Sequence, residues 1–446
     1  MTLFHSKINI TTYKCSMYKK TIITSRIKLK TKMKVRNLLL AGLAAVAMTA
    51  CSNENDETVD NGQVQGTENA LIQLGISYPV TTRATEEGLT SEQTFETAKV
   101  IVNGDIHTYE YKDFRIGEND NTLYLKDGIP VSAGEASIYV ILNLQGEPTT
   151  PYASMTASAN YVSTLDGLTG YVAKPGAFLM SNEKGEVKTV TVKAGEVATA
   201  RINVERAAAK LVEQSKTTAF ENITPGIYGK KLNITLRQYS LRQYSFVNLQ
   251  QDTYVLANTT PIESNFFQAY DAAKATWDYV SKDIVGNVQE STPDANSNIT
   301  YCLENKDANN TRVVYEAVAT WGEETEAATF YVTSENEVYT SFESLAAKFG
   351  NMLTANGLTA ESKAADFRAA GVPIKMYEDG KCYYTADIYT NTASNKTIVR
   401  NNVYKLNVSS ITKLGEPTPT PTPDPASLNI EVKVLPWTIN LVDIIL

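Results

Sequence analysis

Chemistry in this chain would have to be built from few parts. Its 446 residues include only two histidines, His5 and His107. One imidazole in the body of the chain excludes HExxH and multi-histidine metal sites, and a Ser/His/Asp or Cys/His site would rest on His107 alone. His107 stands in Asp105-Ile-His-Thr-Tyr, the pattern of a strand edge, and reads as a surface residue. Of the four cysteines, Cys302 and Cys382 sit in strand-like runs, Tyr301-Cys-Leu-Glu and Lys381-Cys-Tyr-Tyr. An exported compartment permits a disulfide between them. The runs favour two buried thiols that behave as small hydrophobes. No catalytic residue, metal ligand set or cofactor follows from these residues, and the expectation is a protein that is not an enzyme.

Two other residues have the setting of substrates. Met33-Lys-Val-Arg opens a basic start, Leu38 to Ala47 is an apolar run, and Met48-Thr-Ala-Cys51 ends it with small residues and a thiol. A basic start, about ten apolar residues and a small-residue cleavage point describe an export signal, too short to span a bilayer, which needs about 20. The cysteine directly after it resembles a lipobox, with Met48 where leucine is more usual, so Cys51 is the expected lipidation site. A plain signal with an incidental cysteine is the alternative. Residues 1–32, which contain Cys15, then read as an over-extended gene start ahead of a true initiator at Met33. The second residue is Arg83, in Thr81-Thr-Arg-Ala84-Thr-Glu-Glu-Gly88. A lone base in a polar loop is open to an arginine-specific protease, although the residues alone leave it an ordinary surface arginine.

The charge is divided along the chain. The first 50 residues hold ten bases and no acid, which leaves 31 bases against 49 acids in residues 51–446. So acidic a body has no sequence-independent attraction for nucleic acid or anionic lipid.

The elements that carry these residues are mostly strands. Residues 52–68 are polar, with five acids, and read as a tether. In the next segment Ile72, Leu74, Ile76 and Tyr78 alternate with Gln73, Gly75 and Ser77, which predicts a half-buried strand closed by Pro79. Short alternating runs follow, among them Lys99-Val-Ile-Val, Ser137-Ile-Tyr-Val-Ile-Leu, Lys188-Thr-Val-Thr-Val, Lys231-Leu-Asn-Ile-Thr-Leu, Thr311-Arg-Val-Val-Tyr and Ala328-Thr-Phe-Tyr-Val. Gly, Asn and Asp clusters separate them, as in a β-sandwich. One helix is predicted over Ser341–Leu353, with Phe342, Leu345, Ala346, Phe349 and Leu353 on one face. Leu236-Arg-Gln-Tyr-Ser is repeated at once as Leu241-Arg-Gln-Tyr-Ser. An odd repeat flips the faces of a strand, so a bulge, a turn or a lengthened strand is expected there.

Near the C-terminus, Gly415-Glu-Pro-Thr-Pro-Thr-Pro-Thr-Pro-Asp-Pro425 cannot pair as a strand and reads as an extended leash. Beyond it Leu428, Ile430, Val432 and Val434 alternate with polar residues, and Trp437, Ile439 and Leu441 continue the apolar pattern past Pro436. An amphipathic strand pair of this kind cannot bury its apolar face alone. It must dock on a sheet edge or groove of its own body or of a neighbour, and strand addition is a known binding mode.

Several blocks resemble the fimbrillins of Bacteroidales. They are Val204-Glu-Arg-Ala-Ala-Ala-Lys-Leu-Val, Tyr301-Cys-Leu-Glu-Asn, Ile398-Val-Arg-Asn-Asn-Val-Tyr with Ile411-Thr-Lys-Leu-Gly, and Glu431-Val-Lys-Val-Leu-Pro-Trp437. The resemblance runs in order from the lipobox to the last residue and is strongest to shaft subunits of short fimbriae. It implies a mainly β fold of two transthyretin-like β-sandwich domains with few short helices, plus a C-terminal donor strand. The implied parts are a signal at 33–50, a propeptide at 51–83 with a removable strand, domains at 84–205 and 206–416, a Pro-rich leash at 417–426 and a donor strand at 427–446. It also implies lipidation at Cys51, processing between Arg83 and Ala84, and removal of the strand that carries Ile72, Leu74, Ile76 and Tyr78. The vacated groove would take the donor strand of another subunit, with Leu428, Ile430, Val432, Val434, Trp437, Ile439 and Leu441 as its inward residues.

The implied partners are other copies of the chain and other fimbrial subunits, an arginine-specific protease, and a receptor on a host or bacterial surface. The membrane is met only through the lipid of an outer-membrane precursor, before release into an extracellular fimbrium that supports adhesion. Glu205, Arg206 and Arg400 are expected to satisfy one another or to cap loops where the domains meet. The competing readings are a monomeric surface lipoprotein that binds glycan through its 25 tyrosines, and a tip or anchor subunit of the same pilus. A glycan binder has no use for the leash and terminal strand.

Overall fold

The computed structural model describes residues 70–78, 86–89, 92–117, 122–159, 172–174, 176–224, 231–236, 244–271, 276–277, 298–321, 326–389 and 396–438. All fall within the compact unit Gly66–Leu446. Cys51, Arg83, Ala84, Ile439 and Leu441 lie outside the described residues, as do the signal segment, the whole tether and residues 237–243 of the duplication.

The protein is mainly β. The strands expected from period-two alternation form where the pattern places them: Thr97–Val102, Gly134–Leu142, Lys188–Val192, Leu232–Leu236, Arg312–Trp321 and Phe330–Thr333. The expected helix spans Phe342–Ala355, and the Ser341 hydroxyl caps it by accepting from the Ser344 N–H at 3.1 Å. A second helix, Ala364–Ala370, has too few turns to show a periodic face and was not foreseen. No helix among the described residues is long and apolar enough to cross a membrane.

The first half of the chain builds a ten-stranded sheet. Its path runs Asp105–Glu110, Thr97–Val102, Gly134–Leu142, Met180–Asn182, Val197–Arg206, Ala70–Ser77, Thr122–Leu125 and Phe114–Ile116; Lys188–Val192 and Ile129–Val131 pair beside it. His107 sits half-buried on the terminal strand of that path, stacked beside Tyr109. A five-stranded sheet follows in the order Glu86–Glu87, Leu428–Thr438, Asn402–Ile411, Ala208–Glu213, Ile299–Leu303.

The connection Val197–Glu213 serves both sheets, turning from one to the other at Ala207. The hydrophobic interior divides at the same place. One cluster collects residues up to Ala208 with Val255, Leu303, Val403 and Trp437, and a second begins at Ala209. Leu232–Leu236 and Tyr244–Val247 both pair antiparallel to Arg312–Trp321, so the duplication begins at the end of one strand, at Leu236, and ends within the next, at Tyr244 and Ser245.

The terminal strand takes the first of its two expected places, a sheet edge of its own body, and the leash is packed against that body. Pro417 and Pro419 are buried, the Thr385 hydroxyl donates to the Thr420 carbonyl at 2.7 Å, and Thr412 N–H donates to Ser427 O at 2.9 Å. The Pro-rich segment therefore lies along its own body. The terminal segment is one strand, Leu428–Thr438, where a strand pair was expected. It continues through Pro436 because, among the described residues, only Trp437 and Thr438 of this strand have a second strand neighbour, so nothing there requires the N–H that proline lacks.

Candidate functional site

The strand Ala70–Ser77 occupies an interior place in the large sheet. Leu71–Ser77 pair parallel with Val197–Asn203, and the other edge pairs antiparallel with Thr122–Tyr124 and Ile129–Val131. Its even residues point inward: Ile72, Leu74 and Ile76 are fully buried and Tyr78 nearly so. Gln73 donates to the Leu125 carbonyl and Ser77 to the Asn203 side chain. The Tyr78 hydroxyl has no hydrogen-bond partner although it is buried, and that burial pushes the phenol well above its ordinary value. Such a hydroxyl costs roughly 1–3 kcal/mol of desolvation. The strand is thus well packed along most of its length and poorly satisfied at its end.

The terminal strand pairs antiparallel with Asn402–Ile411, and its Trp437–Thr438 end pairs parallel with Glu86–Glu87. Leu428 is buried, while Ile430, Val432 and Val434 are half-buried on the second core. The inward parity then changes, and Leu435 and Trp437 are the buried residues beyond Val434. Leu435 was missed by the sequence reading because it breaks the even alternation.

Trp437 lies in a cage built by the blocks that carry the family resemblance. Phe178 meets its ring edge-on at 5.3 Å and Tyr301 stacks on it at 5.8 Å. The Arg206 guanidinium stands 4.2 Å from the ring centroid. Arg206 also donates to Trp437 O at 2.9 Å, to the Asn401 side chain at 3.2 Å and to the Glu92 carbonyl at 2.9 Å. The Glu92 carboxylate accepts from Trp437 Nε1 at 3.1 Å, from Leu89 N at 2.7 Å and from the Tyr301 hydroxyl, and it pairs with Lys210 at 2.9 Å.

Glu92 is fully buried, and Arg206 and Lys210 are 2% and 4% exposed. Burial lowers Arg206 to about 10, against the pull of Glu92. Two cations against one carboxylate leave the cage short of negative charge, and the π face and carbonyl of Trp437 supply it. Tryptophan alone among the apolar residues offers both that face and an N–H donor for Glu92. Gly88 is tightly enclosed: a Cβ there would stand 3.0 Å from Trp437 Nε1 and 3.1 Å from Glu92 Oε2, so the cage would have to give by a few tenths of an ångström.

The Arg-Asn-Asn block supplies the turn beneath. Asn401 adopts φ 55°, a left-handed conformation that asparagine tolerates. Its N–H donates to Ala208 O at 2.8 Å and its carbonyl accepts from Trp437 N at 3.0 Å. Arg400 pairs with Glu304 at 2.6 Å and donates to Thr253 Oγ1 and Tyr254 O.

Glu205, Arg206 and Arg400 therefore do not form hydrogen bonds with one another. Arg206 and Arg400 hold loops, and Glu205 accepts from Lys184 N at 3.1 Å. Burial raises Glu205 to about 7, with Arg400 opposing. The reason is parity: successive residues 205 and 206 of one strand face opposite sides. Glu92 was not foreseen, for nothing around it forms a motif; Lys210, at the end of the Ala-Ala-Ala-Lys block, was the available signal for a buried counter-charge. Cys302 and Cys382 are free and fully buried. Burial pushes the Cys382 thiol up to about 12 and Cys302 further.

Residues 375–443 match the family model of the fimbrillin C-terminal region, described as major fimbrial subunit protein type IV. No relative is found among curated protein sequences. Similar solved structures include a candidate cell adhesion protein from Bacteroides eggerthii, 15% identical, covering 85% of this chain and 99% of that one with a TM-score of 0.47. A fimbrilin from Porphyromonas gingivalis is 17% identical, with coverage of 84% and 99% and a TM-score of 0.44. A candidate cell adhesion protein from Parabacteroides distasonis is 13% identical, with coverage of 82% and 99% and a TM-score of 0.45. The resemblance to the fimbrillins is borne out over residues 375–443, which carry Arg400, Asn401 and Trp437 and match the model of the fimbrillin C-terminal family.

Proposed function

We propose that this protein is a fimbrial shaft subunit that polymerises by donor-strand exchange. It is exported as a lipoprotein on Cys51, held at the outer membrane, and cut between Arg83 and Ala84. The strand carrying Ile72, Leu74, Ile76 and Tyr78 then leaves, and residues 427–446 of another copy take its place. The observation that carries this reading is the interior position of Ala70–Ser77. Its loss would leave unpaired backbone on both Val197–Arg206 and Thr122–Leu125 and an open apolar slot, a state that only another strand can satisfy. The precursor fills its own slot and is protected from premature assembly. Two sandwich domains, divided near residue 206, would give each subunit an acceptor half and a donor half.

The test is cleavage of the full chain by an arginine-specific protease, followed by electrophoresis in SDS without boiling. A ladder of heat-labile oligomers is expected, and deletion of Ala426–Leu446 should abolish it. A ladder from the deleted chain would refute donor-strand exchange, and normal assembly by Arg83→Ala would move the processing site elsewhere.

A further inference from the structure

We infer that residues 426–434 of a second copy enter the slot in one register, with Glu431 at the place of Gly75 between Arg201 and Tyr124. This rests on the donor-strand reading above and specifies its geometry. The departing strand reads Ala70-Leu-Ile-Gln-Leu-Gly-Ile-Ser-Tyr78, and the incoming segment reads Ala426-Ser-Leu-Asn-Ile-Glu-Val-Lys-Val434. Aligned so, Ala426 replaces Ala70, and Leu428, Ile430, Val432 and Val434 replace Ile72, Leu74, Ile76 and Tyr78. Asn429 replaces Gln73, one amide for another. Every inward position receives an apolar side chain, and the unpartnered Tyr78 hydroxyl gives way to a valine.

The outward face sets the register. Gly75 lies opposite Arg201 on one neighbour and Tyr124 on the other, and Arg115 lies opposite Tyr124 in turn. The Arg115 and Arg201 guanidinium groups stand 5.2 and 5.6 Å from the Tyr124 ring centroid. A carboxylate entering at this place lies beside the Arg201 cation, and opposite charges across neighbouring strands are favourable; Arg115 stands one strand further on, beyond Tyr124. Lys433 would replace Ser77, opposite Asn203, whose side chain donates to Glu183 at 3.0 Å. A Cβ at Gly75 meets Thr122 Cγ2 and Tyr124 Cε1 at 3.0 Å, so both side chains must give way slightly.

A shift of two residues in one direction puts Lys433 opposite Arg201, a like-charge pairing. A shift in the other brings Ala426 to the place of Ile72 and leaves it underfilled. The tail beyond Thr438 either turns Asn440 or Asp443 inward or leaves inward positions empty.

The present docking buries the alternating face of the segment less completely. Ile430, Val432 and Val434 are half-buried on a sheet edge, whereas the places of Leu74 and Ile76 are fully buried. Lys433 also faces Lys405 across the strand pair, a like-charge pairing. Transfer withdraws Trp437 from its cage, so the cage opposes release.

The register is read by cross-linking between full-length chains. In a background with Cys302 and Cys382 replaced by alanine, one copy carries Arg201→Cys; the other carries one added cysteine at Asn429, Glu431, Lys433 or Leu441. The mixture is cleaved, assembled and oxidised. A disulfide-linked dimer is expected with Glu431→Cys and with none of the others. Cross-linking through another position, or none at all while the unsubstituted chain still forms its ladder, overturns the register alone. Loss of the ladder in the unsubstituted chain overturns the donor-strand reading itself. Independently, Glu431→Arg should slow ladder growth several-fold, and pairing it with Arg201→Glu should restore it; no effect of the charge reversal would also overturn the register.

Discussion

Glu92→Gln is the substitution that most directly tests how the terminal strand is held. The side chain is fully buried and its carboxylate meets Lys210, the Tyr301 hydroxyl, the Trp437 indole N–H and the Leu89 N–H. Glutamine keeps the shape but removes the only carboxylate that these contacts place beside Lys210, and its amide turns one acceptor into a donor facing other donors. Breaking a buried ion pair from one side costs about 3–5 kcal/mol, because the remaining charge stays desolvated.

The reporter is built in: Trp437 is one of three tryptophans and bonds directly to the altered group. Urea unfolding followed by tryptophan emission should show the loss as a lower midpoint. Lys210→Met removes the stranded charge, so the double variant should be less destabilised than the two single losses together, by about 1–3 kcal/mol. A loss below about 1 kcal/mol for Glu92→Gln, or strict additivity with Lys210→Met, would refute the cage as the anchor of the strand.

Three further outcomes follow from the same structure. Glu213 is raised by burial to about 7, while Ser215 and Tyr315 donate to it. A raised carboxyl contributes stability that is complete below its ordinary value near 4.5 and is lost as pH rises through about 7; Glu213→Gln should flatten that fall, as measured by urea midpoints from pH 4.5 to 8. Gly88→Ala should destabilise by about 1–3 kcal/mol, since its Cβ would press on Trp437 and Glu92, both held by buried hydrogen bonds, and unchanged thermal unfolding would contradict the packing described. Leu74→Ala should cost the uncleaved chain about 2–5 kcal/mol and leave the assembled, cleaved form unchanged; an equal loss in both forms would show that the strand stays in place.

Much of the architecture is legible in the alternation of side chains. Ile72, Leu74 and Ile76 declare a strand with one buried face, and Phe342, Leu345 and Phe349 declare a helix, because periods of 2 and 3.6 are local properties of the backbone. The same locality explains what was legible at the terminus. Leu428 to Val434 read as a strand that needs an edge and Trp437 as a resumption of the apolar pattern, while the burial of Leu435 did not show, being set by where the second core gives way to the first.

The cage lies beyond any local pattern. Glu92, Arg206, Lys210, Tyr301, Asn401 and Trp437 are separated by up to 345 positions, and each alone reads as an ordinary polar or aromatic residue. The sequence by itself determined that there is an amphipathic first strand and an amphipathic last strand, for these are matters of spacing. Only the tertiary structure decided that the first lies inside a sheet and the last along an edge, and that one buried carboxylate anchors Trp437. Strand pairing and charge pairing are contacts between distant parts of the chain, and their partners exist only once the chain has folded.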